Sequence, residues 1–163
     1  MLRMTEAEYA NYISRNNDGR HAKEYKSKGV PKYRNRKVYV YGKYVTDRKM
    51  PNLGKPDTIF DSVAEYNRYQ ELQLLERAGE ICNLERQVCI NIQEKFNYFK
   101  ESVRAISYVA DFRYTDKDGR TVVEDVKAFD KKTGRPRTTS DFDLKWKLLK
   151  YNYPDVIFKI CGR

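Results

Sequence analysis

Asp111 and the triplet Asp125-Val126-Lys127 sit inside two runs rich in β-branched and aromatic residues, YVADFRY and TVVEDVKAF, which flank the polar stretch DKDG. Two such runs around a polar turn predict a hairpin. A three-residue loop, Lys117-Asp118-Gly119, suits a type I turn whose last residue is left-handed, the conformation that glycine adopts without steric cost. That loop centres the hairpin on Asp118. It sets Asp111 opposite Asp125, Val109 opposite Lys127 and Arg113 opposite Val123, all on one face. The other face pairs Ala110 with Val126, Phe112 with Glu124 and Tyr114 with Val122, an apolar surface with one acid near its margin. A two-residue loop would instead set Asp111 against Val126 or Glu124.

Opposed β-carbons lie about 4.5–5.5 Å apart, and like charges placed there destabilise a sheet. A cation between Asp111 and Asp125 reverses the sign, and two hard carboxylates plus water suit magnesium. Lys127, one pleat along, would stand beside that cation, where its ammonium can orient a water or stabilise charge on a phosphate. The alternative is an exposed ion cluster on a solvated face.

The elements that must position these groups predict an α/β or α+β body with a small mixed sheet flanked by helices. IFDSVAEYNRYQELQLLERAGEI predicts a helix capped by Asp61 or Ser62 and ended by Gly79. Glu65, three residues after Ser62, has capping-box spacing, so a backbone N–H is one partner for its carboxylate. ERQVCINIQ alternates as a half-buried strand, and residues 95–105 predict a loop or a poorly paired strand end. FDKKTGRPRTT reads as a basic loop, SDFDLKWKLLKYNY as a second helix, and DVIFKI as a strand.

Lys and Arg number 33 against 23 Asp and Glu, a formal +10, which favours a polyanionic partner. Residues 1–56 carry 14 basic and 5 acidic side chains, a net of +9, so they form a basic arm and residues 57–163 a nearly neutral domain. In the arm, Lys26, Lys28, Lys32, Arg34, Arg36 and Lys37 interleave with Tyr33 and Tyr39, a pattern suited to phosphate contact with base stacking. Equally, KVYVYGKYV (37–45) can be an edge hairpin with lysines on its outer face, and PNLGKP reads as a linker. Cys82, Cys89, Cys161 and His21 lack zinc spacing. The odd cysteine count suggests reduced thiols in a cytoplasm, and no run is long enough to span a bilayer.

Taken together, FDSVAEYNRYQELQLLERAGEI, Gln87-Val88, YVADFRY, Gly119, VVEDVK and the following Lys-rich helix resemble an uncharacterised family of small phage-encoded nucleases of the PD-(D/E)XK superfamily. The resemblance covers roughly residues 57–160. It implies a restriction-endonuclease-like core and a DNA endonuclease that uses Mg2+, with Mn2+ able to substitute. Asp111 and Asp125 would bind the metal, Lys127 would be the catalytic lysine, Glu65 an accessory ligand, and Lys145 a further basic residue. Glu124 stays open as the third acid, although only Asp125 shares a strand face with Lys127. Duplex or branched DNA is the implied partner, in recombination, junction processing or genome maturation within an infected bacterial cytoplasm. A homodimer is compatible with this. The competing reading is a non-catalytic nucleic-acid-binding module built on the basic arm and its tyrosines.

Overall fold

The computed structural model describes residues 36–162, which form two compact units meeting in sequence at Val63 and Ala64. The expected contacts Lys26, Lys28, Lys32, Tyr33 and Arg34 lie outside the described residues.

The first unit is a small antiparallel sheet. Strands β1 (Val38–Tyr41) and β2 (Tyr44–Thr46) form a hairpin, one of the two readings open for KVYVYGKYV, with Tyr41 paired to Tyr44. Gly42 takes φ 55° in that two-residue turn, as tight hairpins require. After a 3-10 turn at Pro51–Leu53, β3 (Thr58–Phe60) pairs with β1 on its other side. Residues 57–60, expected only as the lead-in to a helix, therefore contain a strand. Val38, Tyr41 and Phe60 are its buried side chains.

The second unit is an α+β domain. Helix α1 (Val63–Arg77) ends where predicted: Gly79 adopts φ 75°, its N–H donates to Glu76 O, and Glu80 N–H donates to Leu75 O. These are the paired bonds of a Schellman motif, which satisfies carbonyls left over at a helix end. Strands β4 (Ile81–Gln93), β7 (Ile106–Asp116), β8 (Thr121–Val126) and β9 (Ile157–Cys161) form one sheet in the order β4-β7-β8-β9. β8 and β9 are parallel and the other pairs antiparallel, so the sheet is mixed. The parallel pair needs a crossover, and helix α2 (Ser140–Asn152) lies within it. Thr139 caps α2 by accepting the Phe142 N–H, with Asp141 and Asp143 in the first turn. Residues 95–105 are neither loop nor strand end: β5 (Phe96–Tyr98) and β6 (Glu101–Val103) form a second hairpin between β4 and β7.

The two faces of this sheet bury different clusters. Val122 and Ile157 face one way and join Leu72, Phe112 and Tyr114 beneath α1. Phe158 and Ile160, of opposite parity, join Phe142, Trp146 and Leu149 of α2. Each helix thus closes one side of the same four strands.

Candidate functional site

The register of the β7–β8 hairpin is the one inferred from Gly119. That glycine has φ 79°, and Thr115 pairs with Thr121, Tyr114 with Val122, Arg113 with Val123, and Phe112 with Glu124. Asp116 strengthens the turn beyond its backbone bonds, because its carboxylate accepts the N–H groups of Asp118 and Arg120 and pairs with the Arg120 guanidinium.

Past Phe112–Glu124 the structure departs from the expected continuous ladder. The β7–β8 pairing ends at Phe112–Glu124, so Val109 and Lys127 are not ladder partners. Asp111 and Asp125 are likewise not ladder partners. In a continuing antiparallel ladder the Val126 N–H would bond a β7 backbone carbonyl. It donates instead to Asp111 Oδ2 at 2.7 Å. A carboxylate has replaced main chain at the point where the two strands part, and the acids gather in that fork.

Across β7, Arg86 pairs with Phe112 and Val88 with Ala110, which sets Gln87 opposite Asp111. Gln87 has φ 51°, unusual for a non-glycine residue. Its Nε2 lies 3.2 Å from Glu65 Oε1 and 3.5 Å from Asp111 Oδ1, so one amide group bridges a helix acid and a strand acid. Glu65, in the first turn of α1, is 3% exposed and also has Arg86 Nη2 at 3.8 Å.

Asp125 is 2% exposed, with one carboxylate oxygen bonded by the Tyr108 hydroxyl and the other by the Lys127 ammonium. The Lys127 ammonium also stands 4.5 Å from the centre of the Phe142 ring, which stacks on Trp146. An ammonium over an aromatic face is held by the ring quadrupole without losing its charge. α2 therefore supplies the floor on which Lys127 rests, and Tyr108 packs edge-on against the same two rings.

Burial pushes the Asp111 carboxyl up to about 7, with the neighbouring charge of Asp125 and, more weakly, Glu65 adding to it, against the Val126 N–H and Lys127. Tyr108 is raised by burial and then by Asp125, so it remains a donor. The unfolded Asp111 titrates near 4. Between there and pH 7 the folded chain keeps a proton that the unfolded chain has lost. Its favourable contribution is thus complete below about pH 4 and is lost as pH rises through about 7. Without metal, Asp111→Asn should gain in melting temperature relative to the parent between pH 5 and pH 8. Glu65→Gln, which removes one of the charges raising Asp111, should shift that crossover to lower pH. A parent-minus-variant difference that is flat with pH would mean that Asp111 is not strained in this way.

Glu124 does not join the acids. It is 1% exposed on the α1 side of β8, deep in the face where it was expected near the margin. Arg68 of α1 holds both of its oxygens at 2.8 Å, Tyr114 donates at 2.6 Å, and Cys161 Sγ lies at 3.2 Å. Burial works to raise this carboxyl, but Arg68 and Tyr114 outweigh it and hold it below the usual range. Burial and Glu124 push the Cys161 thiol up to about 12.

Glu65, Asp111, Asp125 and Lys127 are thus brought together. Lys145 is not shown among them; its ammonium pairs with Asp141 on its own helix at 3.3 Å. Arg36, Lys37 and Tyr39 belong to the first unit, where Arg36 Nη1 is 3.9 Å from Asp47 and Lys37 Nζ is 2.6 Å from Asp61. Gln87, Tyr108 and Phe142 are the site residues that sequence reasoning missed. Gln87 stands among the residues that carry the family resemblance but is given no role there, whereas nothing local marks Tyr108 or Phe142.

The donor chemistry, hard carboxylate oxygens beside one ammonium, is of the kind magnesium accepts. Among the described residues no three of His, Cys, Asp and Glu stand close enough to form a finished metal cage. Asp125 would exchange its bond to Lys127 for one to a cation.

Residues 30–162 match a family model described as "Protein of unknown function (DUF1064)". No curated protein and no solved structure matches the chain.

Proposed function

We propose that this chain, which belongs to the DUF1064 family over residues 30–162, is a magnesium-dependent endonuclease that hydrolyses DNA phosphodiester bonds and has a restriction-endonuclease-like core. Family membership supplies no activity, so the reading rests on the site. The observation that carries it is the fork itself, where Asp125 holds the Lys127 ammonium, Gln87 links Asp111 to Glu65, and burial with the neighbouring charge of Asp125 raises the Asp111 carboxyl to about 7. A structural ion pair needs one acid for Lys127, which Asp125 supplies, and Asp111 is a further half-buried acid beside it. A strongly perturbed carboxyl beside a cation is a mark of functional sites.

Asp111 and Asp125 would hold the magnesium, with Glu65 as the accessory acid across the Gln87 bridge. When bound, the ion supplies charge stabilisation on the phosphate and a more acidic water. The chain's own residues do the positioning. The Val126 N–H fixes one Asp111 oxygen, the Tyr108 hydroxyl fixes Asp125, and Gln87 sets the distance between Glu65 and Asp111. Lys127, released from Asp125, has three N–H donors and no acceptor. It can therefore orient an attacking water or bond a phosphoryl oxygen while it stays on the Phe142 ring.

The test is incubation of the purified chain with supercoiled plasmid, linear duplex, four-way junction DNA and RNA, with magnesium or with chelator. Magnesium-dependent cleavage of at least one DNA substrate is the expected outcome. DNA that is bound but never cut, with either magnesium or manganese, would replace the nuclease with a non-catalytic binding module.

A further inference from the structure

We propose that the β5–β6 hairpin is a stacking wedge that engages unpaired or unstacked bases of nucleic acid. This deepens the nuclease reading by naming the class of substrate, and rests on it only for the link to cleavage. Phe96, Tyr98 and Phe99 are 45%, 60% and 89% exposed, the last being the most exposed large apolar side chain among the described residues. Tyr98 and Phe99 meet edge to face at 4.8 Å between centroids, so the tip is a preformed aromatic corner. Phe99 stands at φ 53°. The left-handed region suits glycine or asparagine in a tight turn, and a bulky aromatic there is an outlier that the fold gains nothing from. Exposure and backbone strain are independent observations, and both single out the same ring.

Charge selects the occupant. Lys95, Lys100 and Arg104 are all exposed around these aromatics. Against Glu94 and Glu101 these three cations leave residues 94–104 a net +1. Cations alternating with accessible rings suit a phosphate backbone whose bases stack on the rings, a mode that tolerates any base. The hairpin prolongs the ribbon of β4 and β7 that carries Gln87 and Asp111, the Gln93–Ile106 pair leading into Phe96–Val103. At about 3.3 Å per residue the tip is at most ~40 Å along the chain from Asp111, close to one turn of duplex. A wedge there can open or sense a branch, gap or end on the DNA whose phosphate reaches the acids.

Binding is measured by fluorescence anisotropy in chelator, so that no cleavage is needed, on four-way junction, gapped and continuous duplex DNA. An aminopurine base analogue placed at the branch or gap reports base stacking. The variants are Tyr98→Ala with Phe99→Ala, and Phe99→Gly, which removes the ring while relieving the backbone. Both variants should lose roughly tenfold in affinity for junction or gapped DNA, within the range for losing one stacked base. Both should also lose the analogue's response while keeping duplex affinity. A parent that shows these effects but never cuts upholds the wedge and ends the nuclease reading. Cleavage by the parent with unchanged variants, or equal losses on all three DNAs, overturns the wedge. A parent dimer that the variants convert to monomer with unaltered DNA binding also overturns it, making the tip a self-association surface.

Discussion

Asp125→Asn and Asp111→Asn should each lower nicking of supercoiled plasmid by roughly a thousandfold or more, the scale on which losing charge stabilisation at a reacting centre is felt. DNA binding should hold or tighten, since each change removes a negative charge from the surface proposed to approach phosphate. Lys127→Ala should be as inactive but should weaken magnesium binding less than either Asp change, because an ammonium cannot ligate a metal. Titration calorimetry on the three variants separates these roles. The fork adds a further discrimination. Asp125→Asn also removes the negative charge that Lys127 pairs with, whereas Asp111→Asn leaves that pair intact and keeps an oxygen for the Val126 N–H. Loss of metal binding should therefore be accompanied by altered Trp146 fluorescence, through the Phe142 stack, in Asp125→Asn alone. If all three variants cut as the parent does, the acids are a structural cluster and the nuclease reading fails.

Arg68→Ala should destabilise the fold by about 3 kcal/mol, at the lower end for breaking a buried pair because Arg68 keeps a quarter of its side chain in solvent. The loss comes from stranding Glu124, whose oxygens would retain only Tyr114 and Cys161. Replacing both partners, Arg68→Met with Glu124→Leu, should restore most of the stability, since an apolar pair of similar size leaves no stranded charge. Because the Glu124 carboxyl is held below its ordinary range, its contribution is present above the ordinary carboxylate pKa and disappears as pH falls through the folded value. Denaturant unfolding of the two single variants and the double, at neutral and acidic pH, completes the cycle. A double variant that is stable yet cleaves DNA normally would confirm that Glu124 has no place among the catalytic acids. A stable but inactive Glu124→Gln beside an active Asp125→Asn would reverse their assignment.

Local chemistry made the hairpin register legible. Gly119 requires a left-handed position, that position sets the loop length, and loop length sets the pairing from Thr115–Thr121 to Phe112–Glu124. Helix α2 was legible for a similar reason, through the acids of its first turn and the Pro154 that follows its end, whereas its Thr139 cap was not. The fork was not legible, because it depends on one carboxylate outcompeting a backbone carbonyl for the Val126 N–H. The burial of Glu124 could not be read from an alternating pattern, since Arg68 lies 56 residues away and only the packing of α1 brings it near. β3 and the β5–β6 hairpin escaped for the opposite reason: strands of three residues are too short for a period of two to show.

The turn at Lys117-Asp118-Gly119 also constrains how this domain can diverge. Surface turns ordinarily absorb insertions and deletions at small thermodynamic cost. Here a single inserted or deleted residue would slip β8 by one position against β7. Strand periodicity would then carry Asp125 to the α1 side and present Glu124 at the fork. Relatives that keep the proposed chemistry can vary Lys117 and Asp118, but Gly119 and the number of residues between the two acids should be invariant among them, as a ruler would be.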